Sequence, residues 1–158
     1  MKALVVYDSV FGNTEQVAQA IGQALEAAGD VAVVRVGEVK PGQWSGVDIA
    51  VVGSPTRAFS PTPATKKLVG GLPRETLQGV KVAAFDTRIA LEDVNSSFLN
   101  LMVKLFGYAA EPIARRLQKK GGELAVSPEG FFVTGSEGPL KEGELERAAR
   151  WAEEILNA

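Results

Sequence analysis

The chain of 158 residues contains no cysteine and no histidine. These two absences exclude disulfide bonds, thiolate nucleophiles, imidazole acid–base catalysis and the usual zinc ligand sets. An excess of charge is missing too, because 17 Lys and Arg residues nearly cancel 19 Asp and Glu residues. A chain with this balance is not expected to bind nucleic acid or an anionic membrane surface.

Long hydrophobic runs are also missing. The apolar run at residues 3–6 has the length of a β-strand and is too short for the core of a signal peptide. No segment approaches the length that crosses a bilayer, so we expect no membrane insertion and a cytoplasmic protein. With 46% hydrophobic and 23% charged residues, the composition is that of a globular protein, predicted as one domain over residues 1–158.

The segments that are present alternate between strand-like and helix-like patterns, without an internal repeat. Strands are predicted at residues 3–6, 31–36, 47–52 and 80–85, with a fifth at 123–126 that continues at 131–134. Helices are predicted at residues 15–25, 63–69, 96–106, 108–120 and 140–156. Strands separated by helices pair in parallel through right-handed crossovers. The sequence therefore predicts a three-layer, doubly wound α/β fold with a five-stranded parallel sheet.

Helical spacing also predicts which side chains face the core. In the helix at residues 96–106, the inward stripe contains Phe98, Met102 and Phe106. In the last helix, the inward side chains are expected to be Leu145, Ala149, Ala152 and Ile155 or Leu156. Phe85, at the end of the fourth strand, is expected in the core.

The carboxyl ends of the predicted strands carry most of the residues suited to binding. Segments 8–14, 53–61 and 135–139 are rich in Gly, Ser, Thr and Pro, and segment 86–90 follows the fourth strand. The opposite ends carry plain turns. In open parallel sheets, ligands bind beyond the carboxyl ends of the strands. This one-sided enrichment therefore predicts a binding edge.

The segment after the first strand has the features of a phosphate-binding turn. Gly12 allows a tight turn, and the helix that follows leaves several backbone N–H groups without partners. Those N–H groups, the helix dipole and the hydroxyls of Ser9 and Thr14 can hold a phosphate dianion. The same residue types also serve as ordinary helix caps, so both interpretations stay open. Neither a nucleotide-triphosphate loop nor a dinucleotide fingerprint occurs here.

Two motifs resemble those of the flavodoxin-like FMN-binding family. Residues 9–14 are similar to its phosphate loop, which reads Ser or Thr, any residue, Thr, Gly, Asn, Thr; here Phe11 replaces the middle hydroxyl. Residues 54–56, Ser-Pro-Thr, match the start of the loop that contacts one face of the flavin ring. The resemblance covers essentially the whole chain. It implies strand order 2-1-3-4-5, FMN as cofactor, and electron transfer with a redox partner protein or reductase.

The resemblance also implies which residues meet the cofactor. Backbone N–H groups of residues 10–14, with the Ser9 and Thr14 hydroxyls, would hold the phosphate. Loops at 54–60 and 86–90 would bracket the ring, with Phe59 as the candidate for stacking. No catalytic or metal-binding residue is predicted. The cofactor-binding residues predicted in this way are Ser9, Val10, Phe11, Gly12, Asn13, Thr14, Ser54, Pro55, Thr56, Arg57, Ala58, Phe59, Asp86, Thr87 and Arg88.

The segment after the fourth strand departs most from the family pattern, which has Gly, Asp and a stacking Tyr there. This chain has Asp86, Thr87 and Arg88, and no aromatic residue until Phe98. Arg57 and Arg88 are either solvated loop charges or cations beside the ring or the phosphate. A cation close to the ring would stabilise the negative charge of reduced FMN.

Two further interpretations stay open. The flavodoxin-like NAD(P)H:quinone oxidoreductases often have an aromatic residue at the position of Phe11, and a Pro-Thr-Arg-Phe-Gly stretch similar to residues 55–59. Those enzymes use a histidine near the flavin, which this chain lacks. The other interpretation is a flavodoxin-fold binding module that has lost the cofactor. We expect the electron carrier, as a monomer or weak dimer.

Overall fold

A computed structural model describes residues 1–90 and 97–158, without the side chains of residues 99, 105 and 106. The strands are β1 (Lys2–Tyr7), β2 (Asp30–Arg35), β3 (Ile49–Pro55), β4 (Lys81–Ile89), β5 (Glu123–Leu124) and β6 (Glu129–Val133). The helices are α1 (Asn13–Leu25), α2 (Pro63–Gly70), α3 (Ser97–Phe106), α4 (Ala110–Lys119) and α5 (Glu144–Leu156). Each predicted strand and helix is therefore found, with shifts at its ends.

The sheet is parallel and has the order β2-β1-β3-β4-β5, which confirms the predicted order. The predicted fifth strand is two short strands that pair with β4 one after the other. β5 pairs with the first residues of β4, at Lys81 and Val82, and β6 pairs with its last residues, from Phe85 to Ile89. The interruption predicted within the fifth strand is thus the passage from β5 to β6.

Hydrophobic cores on both faces of the sheet explain the layered fold. Because side chains alternate along a strand, Val5 of β1 lies in the core beneath α1 and α5, and Leu4 lies in the core beneath α2 and α4. The first core also contains the buried Phe85, as predicted. Helices on both faces are what a doubly wound sheet requires. Across the described residues, none of the helices combines the length and apolar character that a bilayer crossing requires.

The fourth strand is longer than predicted. Residues 86–89 belong to β4, so the prediction of a loop at 86–90 is wrong. The reason is that both neighbouring strands continue to offer pairing partners: Thr87 pairs with Pro55 of β3 on one side and with Phe131 of β6 on the other. Polar residues are poor strand signals in a sequence, but two flanking strands override that preference.

The start of the last helix also differs from the prediction. Residues 140–143 precede α5: Leu140 forms a β-bridge with Val133, and the helix begins after Gly143, whose φ is +88°. The predicted inward position of Leu145 is wrong, because this side chain is 39% exposed. The buried face of α5 consists of Glu144, Ala148, Trp151, Ala152 and Ile155.

The third helix differs from the prediction at its first turn. Phe98 is 66% exposed, so its predicted place in the buried stripe is wrong. Met102 is half-buried. Ser96 and the side chain of Phe106, which the same prediction included, lie outside the described residues.

Candidate functional site

A cleft of about 410 Å³ opens at the carboxyl ends of β1, β3 and β4. Its volume lies within the usual range of small-ligand sites. Four chain segments that are distant in sequence form its walls, which is the arrangement expected at the switch point of a doubly wound sheet. The lining residues are Ser9, Val10, Phe11, Asn13, Thr14, Pro55, Thr56, Arg57, Ala58, Thr87, Arg88, Ile89, Val133, Ser136 and Glu137.

The turn between β1 and α1 forms the floor of one end of the cleft. Gly12 has φ +92°, which strongly favours glycine, and it caps the N-terminus of α1 without a side-chain hydrogen bond. A Cβ atom built at Gly12 would meet no other atom within 4 Å, so open space lies beside this backbone. The turn therefore leaves room for a ligand atom to approach the start of the helix.

The Ser9 hydroxyl organises this turn from within. Its Oγ accepts hydrogen bonds from the N–H groups of Gly12, at 3.1 Å, and Glu15, at 3.4 Å. As an acceptor it caps the helix, and its own O–H remains a donor. By helix geometry the N–H groups of Asn13 and Thr14 lack a carbonyl partner one turn back. Together with the helix dipole, these donors suit an anion.

Two hydrogen bonds attach this turn to the rest of the cleft. The Asn13 side-chain amide donates to the backbone carbonyl of Glu137 at 3.0 Å. The hydroxyls of Thr14 and Thr87 lie 2.8 Å apart in a buried hydrogen bond that joins α1 to β4. A hydroxyl pair of this kind carries two hydrogens and uses only one between its members, so one donor is left for a neighbouring group.

Asp8 lies beside the turn, and its hydrogen bonds give it a structural role. One carboxylate oxygen accepts a hydrogen bond from the Thr62 hydroxyl at 2.6 Å, and the other accepts from the Ser9 N–H at 2.9 Å. Arg35 donates to the Ser9 carbonyl at 2.9 Å and lies 3.8 Å from the Asp8 carboxylate. These bonds fix the backbone at the point where the chain enters the turn. Aspartate commonly stabilises turns in this way.

One wall of the cleft contains a tight reverse turn at residues 57–60. We call this turn the hairpin wall. Arg57 and Ser60 exchange backbone hydrogen bonds of 2.8 and 3.0 Å. Between them Ala58 and Phe59 have φ values of +48° and +65°. Positive φ at both central positions is typical of a type I′ turn, where Asn and Gly are preferred because other residues pay a steric cost. The hairpin wall therefore contains backbone strain next to the cleft.

Among the described residues, the aromatic side chain that lines the cleft is Phe11. Phe11 is 48% exposed, and the Arg57 guanidinium lies 5.9 Å from its ring centroid. Phe59 lines a neighbouring cavity together with Met102 and Arg116.

A second part of the cleft is built by residues 86–88 of β4, the strand wall. Asp86 is completely buried and accepts two hydrogen bonds of 2.6 Å from Arg88, at Nε and Nη2. The same carboxylate accepts the N–H of Ala110 at 2.9 Å, where α4 begins. The Arg88 guanidinium also lies over the ring of Tyr108, 3.6 Å from its centroid. A bidentate pair stacked on an aromatic ring holds an arginine in one orientation.

Gly130 of β6 packs directly against the Arg88 guanidinium, which leaves no room for a side chain there. A Cβ atom at this position would lie under 3.0 Å from three atoms of the guanidinium group. Burial raises the pKa of the Asp86 carboxyl above its ordinary value, and the paired Arg88 charge opposes that shift. Burial likewise raises the pKa of Tyr108. The strand wall is therefore a packed, desolvated cluster with a cation at its cleft side.

The structure brings most of the sequence-predicted site residues together around the cleft. Four of them do not line it: Gly12 shapes the turn beneath, Phe59 faces the neighbouring cavity, and the side chains of Ser54 and Asp86 are buried behind the wall. Sequence patterns did not indicate Tyr108, Gly130 or Val133, whereas Ile89 lies in the segment 86–90 that was predicted to border the site. The Gly135–Pro139 segment was flagged as a binding edge, but nothing local marks Tyr108 or Gly130 as partners of Arg88.

The comparisons with known proteins agree with this geometry. A family model described as Flavodoxin domain matches residues 4–132. A flavodoxin from the domain Archaea is 26% identical, with a TM-score of 0.74 over 99% of this chain and 97% of its own.

Two more distant structures share the fold. Flavodoxin 2 from Bacillus cereus is 21% identical, with a TM-score of 0.76 over 99% of both chains. A flavodoxin, WrbA-like protein from Agrobacterium tumefaciens is 20% identical, with a TM-score of 0.73 over 99% of this chain and 95% of its own. Because the family model covers most of the sequence, the chain belongs to the flavodoxin-domain family of flavin-binding electron-transfer proteins.

Proposed function

We propose that the cleft binds FMN and that the protein carries electrons between redox partner proteins. The observation that supports FMN is the turn at residues 9–14, where a positive-φ glycine opens space beside the unpaired N–H groups at the start of α1. A phosphate monoester fits such a turn, whereas riboflavin has no anion to place there. The residues present thus fit the phosphate end of FMN.

The residues that would hold each part of FMN follow from their position around the cleft. The backbone N–H groups of residues 10–14 other than Gly12, whose N–H donates to Ser9, would bind the phosphate together with the Ser9 O–H. The hydrogen left over from the Thr14–Thr87 hydroxyl pair would be a further donor. The hairpin wall and the strand wall would lie on either side of the ring. When bound, the flavin supplies the redox chemistry, and the protein positions it and sets its electrostatic surroundings.

Titration of the apoprotein with FMN and with riboflavin tests this proposal. We expect FMN to bind at least a hundredfold more tightly, because each charge-assisted hydrogen bond to the phosphate contributes roughly 1.5–3 kcal/mol. Equal affinities would contradict a phosphate site in the turn. A colourless purified protein that takes up neither flavin would instead support the module that has lost its cofactor.

The variant Gly12→Val tests whether phosphate binding depends on the backbone conformation of the turn. A β-branched residue is disfavoured at φ +92°, so the turn should shift and its N–H groups should diverge. We expect the affinity for FMN to fall while the affinity for riboflavin changes little. A variant that binds FMN as tightly as the wild type, with an unchanged melting temperature, would contradict this geometry.

The quinone oxidoreductase interpretation is no better supported than the electron carrier. An assay of NAD(P)H oxidation with a quinone acceptor separates the two, and we expect no turnover above that of free FMN. A single folded unit over residues 1–158, a cytoplasmic location and a monomer or weak dimer stay predictions.

A further inference from the structure

We infer that Arg88 is a fixed hydrogen-bond donor in the wall of the cleft, positioned by Asp86, Tyr108 and Gly130, and that it binds the reduced flavin more tightly than the oxidised flavin. This inference rests on the proposed function. It means that the strand wall stabilises reduced flavin relative to oxidised flavin.

The first step concerns which donors of Arg88 remain. Nε and Nη2 both donate to Asp86. Among the described residues, no group accepts a hydrogen bond from Nη1, which carries two further N–H bonds. The Arg88 side chain is 18% exposed and lines the cleft, whereas Asp86 is completely buried and does not. The unused donors are therefore those available to a group in the cleft.

The second step concerns orientation. A free arginine loses much side-chain entropy when it binds a ligand, and it can turn to solvent instead. Arg88 is held on three sides, by the Asp86 carboxylate, the Tyr108 ring 3.6 Å away and the backbone of Gly130. Its orientation is set before a ligand arrives. Preorganised donors of this kind act on a developing charge without rearrangement.

The third step concerns the sign of the effect. Two electrons and one proton added to neutral flavin produce an anion, with the electrons supplied by a redox partner. The Asp86–Arg88 pair is a dipole whose positive end faces the cleft and whose negative end is buried behind it. Such a dipole favours the anion over the neutral form, and water screens it little because the pair is desolvated. In the oxidised flavin the acceptor is neutral, so it gains the hydrogen bond but not the attraction between opposite charges.

The experiment measures the affinity for oxidised FMN, by fluorescence titration, and the two-electron midpoint potential, by dye-equilibrated spectroelectrochemistry, for wild type, Arg88→Ala and Gly130→Ala. For Arg88→Ala we expect the reduced form to lose about tenfold more affinity than the oxidised form, which lowers the potential by about 30 mV. Equal losses for both forms, or an unchanged potential, would overturn the inference.

Gly130→Ala provides an independent test because it changes no charge. The added methyl group would lie under 3.0 Å from Nε, Cζ and Nη2 of Arg88, so the guanidinium has to leave its position and its pair with Asp86. We expect the variant to be less stable but still folded, which its circular dichroism spectrum checks. We expect a shift of the potential in the same direction as for Arg88→Ala. An unshifted potential, with Arg88 displaced, would show that orientation does not matter and would overturn the inference.

Two further variants complete the design. Arg115→Ala removes an exposed arginine of α4 and should leave the potential unchanged. Arg88→Lys keeps the charge but cannot form the bidentate pair, so we expect a potential between those of wild type and Arg88→Ala. Circular dichroism of each apoprotein checks the fold. If wild-type protein does not bind FMN at all, the proposed function fails, and that outcome is distinct from a failure of the Arg88 inference.

Discussion

The hairpin wall and the strand wall each contain an arginine, but they hold it in opposite ways. The hairpin wall carries Arg57, an exposed side chain that touches Phe11 and belongs to a turn with two residues in positive φ. The strand wall carries Arg88, which is bonded to buried Asp86 and packed between a ring and a backbone. The same residue type is thus loosely held on one side and fixed on the other.

Burial is the property that separates the two arginines. Around Arg57, water screens the charge and competes for its hydrogen bonds, so its effect on a ligand is small and depends on salt. Around Arg88, the surrounding protein excludes water, and the pair with Asp86 is needed to offset the cost of desolvation. The comparison indicates that the strand wall is a stable part of the fold, whereas the hairpin wall can be altered at little cost.

The largest expected effect comes from breaking the strand wall. Asp86→Asn should lower the free energy of unfolding by about 3 kcal/mol, because it leaves the Arg88 charge without its buried partner. Urea denaturation of the apoprotein measures this. Asp30→Asn, at the exposed start of β2, is the matched control and should stay within about 0.5 kcal/mol of wild type. A loss below about 1 kcal/mol for Asp86→Asn would mean that the two walls are equally tolerant.

The contacts that support the strand wall include a carboxylate, Glu144, which becomes protonated in acid. Glu144 accepts the N–H of Phe132 at 2.7 Å and pairs with Arg147, which also donates to the Gly130 carbonyl. Burial alone would raise the pKa of Glu144, but the hydrogen bonds and charge of Arg147, with the Phe132 N–H, lower it.

Since the folded-state pKa of Glu144 is lowered, its stabilisation is present above the unfolded pKa near 4.5 and is lost as pH falls through the folded value. We expect Glu144→Gln to lower the free energy of unfolding by about 2 kcal/mol at pH 7, and by progressively less as the pH falls below 4.5. Glu146→Gln, on the exposed side of α5, is the matched control and should stay within about 0.5 kcal/mol of wild type at pH 7. A constant difference between wild type and Glu144→Gln from pH 7 to pH 3 would contradict this assignment.

The hairpin wall should become more stable when its strain is relieved. Ala58→Gly, at φ +48°, should raise the free energy of unfolding by about 1 kcal/mol, because glycine has no Cβ to crowd the following carbonyl. The same substitution in a helix has the opposite sign, so Ala64→Gly in α2 should lower stability by about 1 kcal/mol. Thermal denaturation of both variants decides the matter. Loss of stability in Ala58→Gly would show that the turn is not strained.

The smallest effect is expected for Arg57→Ala. An exposed arginine over an aromatic ring contributes about 0.5 kcal/mol, so the melting temperature should change by no more than a few degrees. The midpoint potential should move less than in Arg88→Ala, and the remaining difference should disappear at high salt. A larger shift in Arg57→Ala than in Arg88→Ala would reverse the comparison between the walls.

Local patterns in the sequence were sufficient to predict the order of the strands and helices and the turn at residues 9–14. The apolar runs of β1 and β3 and the stripes of α1 are properties of neighbouring residues, so they can be recognised without knowing the fold. The positive φ of Gly12 follows equally from a short-range requirement, the tight passage from strand to helix. The structure has these elements and this turn at the positions that the sequence predicts.

The strand wall could not be predicted in this way. The extension of β4 through Arg88 depends on pairing with both β3 and β6, and the orientation of Arg88 depends on Tyr108 and Gly130, which lie 20 and 42 residues further along the chain. The sequence by itself determined which segments form strands, helices and the glycine turn, because these reflect interactions over a few residues. Only the tertiary structure decided which arginine is held in one orientation, since its partners lie on segments that approach one another after the sheet has formed.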